Sequence, residues 1–170
     1  GVYTVLAGHS TFDLTATSVT VDSTARDVAL NNLNISLPVT NISTNSNIVI
    51  DTAVPTITSI TSSTIDGIYG VGANISIRIN FSEAITLTGT MGINLDSGGV
   101  CVVNGFTGTT ATGVYSVLAG HSSMDLAATS VSVNGTVRDT ASNDLNITLP
   151  GTNISAGSNI VIDTSAPTIT

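Results

Sequence analysis

The sequence contains no tryptophan and no lysine, one cysteine, one glutamate and three arginines. Aromatic residues are 4% of 170 and charged residues 8%. Each scarcity removes a class of chemistry. With no lysine and a net charge of −8, the chain has no basic patch and gains nothing from releasing counterions on a phosphate backbone. Nucleic acid and anionic membrane surfaces are therefore excluded as expected partners. So few aromatics leave almost no platform for stacking sugar rings. Cys101 has no partner for a disulfide, and in the VCVV segment it reads as a small buried hydrophobe. No apolar run reaches the length of a membrane span, so no membrane insertion is expected. Glu83 is the only glutamate; the contrasting carboxylate pair of a glycosidase has little to draw on. No G-x-S-x-G segment accompanies the serines near His9 and His121. An enzyme is not expected.

What is present points to strands. Apolar residues are 41% of the chain, and Ser and Thr together number 49. With so few aromatics, the core must be Val, Ile and Leu, of which the β-branched members favour extended backbone. The strongest signal is internal: residues 1–58 and 113–170 align without a gap, with 41 of 58 positions identical. GVYTVLAGHSTFDL at Gly1–Leu14 returns as GVYSVLAGHSSMDL at Gly113–Leu126. The period of 112 residues is far above that of a solenoid repeat and fits an independent domain.

Within one period the apolar residues alternate. In NISIRINF (Asn74–Phe81) the residues Ile75, Ile77, Ile79 and Phe81 point one way and their polar neighbours the other, a half-buried strand. Further strands are predicted at Leu33–Leu37, Pro55–Ile60, Ala84–Thr88, Met91–Asp96, Val100–Val103, Val114–Leu118, Ser130–Val133, Leu145–Leu149 and Ser158–Ile162. Turns are predicted at Asp66-Gly67, Ser97-Gly98-Gly99, Asn104-Gly105 and Asn134-Gly135. Only Ser122–Ala128 and its counterpart Thr11–Ala16 read as helical turns. Eight or nine short strands per period imply an all-β, antiparallel two-sheet sandwich in tandem. The IDT-x-x-P segments mark the linkers, because proline blocks ladder pairing. That phase makes residues 1–51 the C-terminal half of one repeat, 52–163 a complete repeat and 164–170 the first strand of the next. The chain is then expected to be a window on a longer array.

The segment Ser59–Ile85 (SITSSTIDGIYGVGANISIRINFSEAI), followed in order by AGHSSMDL, VRDTASNDL and IDTSAPTIT, resembles the bacterial immunoglobulin-like (Big-type) tandem repeats of large surface adhesins. The resemblance covers the whole unit. It implies an immunoglobulin-like sandwich in a secreted or cell-surface protein, with many copies in tandem and Ca²⁺ stiffening the junctions. The chain departs from the family pattern at Val137–Asp144, VRDTASND, where glycine is common in the turn.

The acidic residues are the candidate ligands. Asp139 and Asp144 flank one loop, and Asp27 stands in the first copy of it; Asp51 and Asp163 sit at the linkers, Asp66 in the DG turn and Glu83 after Phe81. Ca²⁺ takes about six to eight oxygens, so a few such side chains with backbone carbonyls would suffice. The expectation is a junction that gathers Asp163 or Asp51 with Glu83 and Asp66. No segment matches an EF-hand loop, and Asp and Asn also serve simply to close turns. His9 and His121 lack a neighbouring His or Cys and are expected to be structural. Seven Asn-x-Ser/Thr triplets, among them Asn34, Asn74 and Asn146, are little more than this composition gives by chance.

Three functions follow as expectations. The first is an extracellular spacer or stalk whose partners are neighbouring repeats of the same chain. The second is a subunit that associates with itself into a fibre or surface layer, helped by the scarcity of charge to desolvate. The third is a module that binds glycan or ice directly.

Overall fold

A computed structural model describes residues 1–169 and divides the chain into two compact units, Gly1–Ala53 and Val54–Thr170. The description is of a nearly all-β protein, and no helix among the described residues is long and apolar enough to cross a membrane. Thr170, the end of the segment 164–170, lies outside the described residues, and residues 164–169 are in no strand.

In the second unit the period-2 pattern becomes two sheets, a sandwich-like arrangement. The strands are β1 (Ile57–Ser62), β2 (Gly67–Tyr69), β3 (Asn74–Leu95), β4 (Val100–Ser116), β5 (Ser122–Ser123), β6 (Ala128–Arg138) and β7 (Ile160–Asp163). In the first sheet β3 is central: β1 and β6 pair with it along different stretches of one edge, and β4 runs along the other, all antiparallel. In the second, β7 lies between β2, to which it is parallel, and β5, to which it is antiparallel.

Three predicted strands merge into β3, because its inward phase survives two interruptions of the ladder. Its register with β4 shifts between Asn80 and Ile85 and again between Leu87 and Thr90. Ile75, Ile77, Ile79, Phe81, Ile85, Leu87, Met91, Ile93 and Leu95 are nevertheless all buried. They pack with Ile60, Tyr115, Leu126, Ile160 and Ile162 into one aliphatic core, each side chain contributing about 1.5–3 kcal/mol by leaving water.

Several local expectations are corrected. Asn134-Gly135 is not a turn but the middle of β6, where Gly135 crosses Gly89 of β3. Both take positive φ, and a Cβ on Gly135 would lie 1.9 Å from the Thr88 carbonyl oxygen. Glycine is there for close backbone approach. Asn104-Gly105 likewise falls within β4. Ser122–Ala128 is not helical, because tertiary partners occupy its polar groups. Ser123 donates to Asp96 Oδ2, Ala127 N–H to Asp96 Oδ1 and Leu126 N–H to Ile160 O. Its counterpart Thr11–Ala16 is not helical either; there Thr11 N–H donates to Ile50 O and Leu14 N–H to Ile48 O. Leu33–Leu37 and Leu145–Leu149 form no ladder: the Asn34 and Asn146 side chains accept from the amides of Ser36 and Thr148, and such turns compete with strands.

The first unit contains no strand among the described residues. It holds one helical turn, α1 (Ile42–Asn45), capped by Asn41, and isolated bridges pair Thr11 with Ile50 and Arg26 with Asn32. Its local turns nonetheless match those of the second unit. Asn41 accepts from the amides of Ile42 and Ala16 and donates to Ala16 O. Asn153 does the same with Ile154 and Ala128. Each contact with Ala16 or Ala128 spans 25 residues and forms within its own copy of the repeated segment.

Candidate functional site

The AGHS turn carries the most regular polar constellation, and both copies build it. In the second unit Ser97 Oγ donates to the Tyr115 hydroxyl, which lies 2.8 Å from His121 Nδ1. Nδ1 also accepts from Leu118 N–H at 3.2 Å. Thr164 Oγ1 donates to His121 O and accepts from Gly120 N–H. Tyr3, His9, Leu6, Gly8 and Thr52 repeat this arrangement, with Tyr3 Oη 2.7 Å from His9 Nδ1. The imidazoles hold turns, as expected of them. Tyr115 is fully buried, and burial pushes its hydroxyl pKa up, partly offset by the Ser97 hydrogen bond.

The acidic residues fall into three kinds of place. Asp163 and Asp51 accept from the amides of Ser165 and Ala53 and so close the turns that precede Pro167 and Pro55. Asp66 accepts from Asn159 N–H at 2.8 Å and ties the start of β2 to the residues before β7. In the RD loop, Asp139 accepts from the Asn143 backbone and side-chain amides at 2.8 and 2.7 Å. Asp144 receives Arg138 Nε at 2.6 Å, an exposed ion pair. The first copy of that loop is alike: Asp27 accepts from Ala29 and from both amides of Asn31, and Asn32 stands in for Asp144 opposite Arg26. The Asn31 side-chain hydrogen bond leads in holding the Asp27 carboxyl below its ordinary range.

Of the expected ligands, the second unit by itself brings two together. Glu83 and Asp139 each offer a carboxylate oxygen, and these lie within 4.8 Å of one another. Glu83 sits where β3 leaves register with β4, between Asn80 and Ile85, on the inward phase of the strand. Asp139 follows the last residue of β6 and is buried. Two hard carboxylates at this separation suit Ca²⁺ better than a soft metal. Asp66, Asp144 and Asp163 lie elsewhere in the second unit, each with the partner named above. An open groove along β4, lined by Val102, Phe106, Thr110 and Val114 among others, has no titratable side chain in its wall. Cys101 is buried, and desolvation raises its thiol pKa to about 11, as expected of an inert hydrophobe.

No family model matches the chain. Neither a curated protein nor a solved structure matches it.

Proposed function

We propose that the chain is a spacer module of a tandem-repeat, Big-type surface adhesin, an immunoglobulin-like bead that works outside the cell by its shape and by the reach of many copies. The observation that carries this reading is the 58-residue segment that returns after 112 residues with 41 identities. The second unit supports it as a self-contained sandwich-like body with a continuous aliphatic core. Its conspicuous polar groups, Tyr115 with His121 and Arg138 with Asp144, are spent on holding turns. In an array of such beads, nearest-neighbour contacts set stiffness. Scattering from chains of one, two and three periods should show a maximum dimension that grows in proportion to copy number. Compact particles would refute the spacer.

Calcium belongs to the same proposal. Glu83 and Asp139 supply two of the oxygens, and backbone carbonyls and water complete the shell. Calorimetry with Ca²⁺ should show binding heat, and chelator should lower the melting temperature. Glu83→Gln and Asp139→Asn should each weaken binding, with Asp51→Asn as the companion variant at the linker. No heat and an unchanged melting temperature reject the ion.

A second reading, a self-assembling filament or surface layer, is favoured by β4. Among the described residues this strand of 17 residues pairs only with β3, and it carries no charged residue; such an edge is a template for another chain. Regular fibres from the purified protein would favour it over the spacer.

A further inference from the structure

The two copies of the repeated segment have the same local turns but opposite fates for their apolar side chains. Tyr115, Val117 and Ile160 are 0% exposed and Leu145 9%, whereas Tyr3, Val5, Ile48 and Leu33 are 54, 48, 42 and 56% exposed. The sequences do not explain the difference, since all four pairs are identical residues in near-identical contexts. What differs is the cover. In the second unit, residues 113–165 are held by 54–112: Ile75 pairs with Tyr115, β6 pairs with the second half of β3, and β2 pairs with β7. Gly72 N–H and Val117 N–H exchange bonds with Val117 O and Ala73 O, and Asn146 N–H donates to Pro55 O.

We infer that residues 1–53 are one half of a sandwich whose exposed apolar side chains take one partner, a polypeptide segment of the 54–112 type. The partner's defining chemistry is the alternating aliphatic stripe of β3, flanked by a β1-like and a β4-like strand. A second copy of this chain offers the wrong half. Its own 54–112 is already covered by its own 113–165, and what it leaves open is another 1–53. One position sets a demand on the fit. Ser23 stands where the second unit has Gly135, and a Cβ there would meet the Thr88 carbonyl. The completed half must open that crossing locally, so Ser23→Gly tightens the fit.

The inference rests on the repeat but not on the spacer. The test joins an extra copy of residues 54–112 ahead of Gly1 and follows amide hydrogen exchange in the full chain with and without it. Protection across 54–170 reports folding in every sample. In the unextended chain the amides of Val5 and Val19 should exchange freely. In the extended chain they should slow roughly a hundredfold or more, toward Val117 and Val131. Ser23→Gly should increase that protection, and Ile77→Asp in the added copy should abolish it while 54–170 stays protected. Three outcomes overturn the inference: free exchange of 1–53 in the extended chain, protection that survives Ile77→Asp, and concentration-dependent protection of the unextended chain, which would give the face to a second copy. None depends on particle length, so failure here is distinct from failure of the spacer.

Discussion

Tyr115→Phe isolates the turn constellation, because it removes one oxygen and leaves the ring in place. The hydroxyl receives Ser97 Oγ at 3.0 Å and faces His121 Nδ1 at 2.8 Å in a fully buried position. His121 Nδ1 keeps Leu118 N–H, but the buried Ser97 O–H loses its acceptor, because its other bond is one it accepts, from Gly99 N–H at 3.4 Å. The loss is therefore the net value of two hydrogen bonds plus the penalty of one buried unpaired donor, about 2–4 kcal/mol. For a domain near this size that lowers the melting temperature by roughly 8–24 °C. Urea unfolding monitored by circular dichroism should show a lower midpoint with an unchanged slope. Tyr3→Phe is the control: it deletes the same contact to His9, at 2.7 Å, from a ring that is half exposed. It should leave the unfolding of the second unit within about 0.5 kcal/mol of the parent. Equal effects of the two substitutions, or none from Tyr115→Phe, would refute the reasoning.

Alkaline pH should weaken the second unit. The Cys101 thiol has a folded pKa of about 11 against an ordinary 9.0, so the folded state keeps a proton that the unfolded chain releases. Stability is full below pH 9 and falls as pH rises to 11, by roughly 2–3 kcal/mol. Urea midpoints across that range should show the slope, and Cys101→Ala should reduce it, leaving the contribution of Tyr115, whose pKa burial also raises. Ile160→Ala and Ile48→Ala compare one residue in its two settings, fully buried and 42% exposed. The first should cost about 2–5 kcal/mol in urea unfolding of the second unit and the second nothing measurable.

The sheets were legible in the sequence where side chains alternate without interruption, as from Ile75 to Phe81. The NG pairs were misread because a two-residue turn and a close strand crossing ask the same thing of glycine. The choice between them depends on Thr88, which is remote in sequence from Gly135. The helical turns after Asn41 and Asn153 were missed, although an Asn that can cap a helix opens each NIS triplet. Glu83 carried a usable signal: it is the one acidic residue on the inward phase of β3. Its approach to Asp139 was not legible, since it depends on where β6 ends against β3. The exposure of Tyr3 and Leu33 could not be read at all, because burial belongs to the complement and not to the segment.

Gly113–Ser116 lies inside β4 and reads GVYS where Gly1–Thr4 reads GVYT. An in-register exchange between GVYT and GVYS rebuilds the same strand with Thr for Ser, so recombination can add or delete whole periods without writing a new junction that selection must repair. Variation in length then comes free of variation in shape.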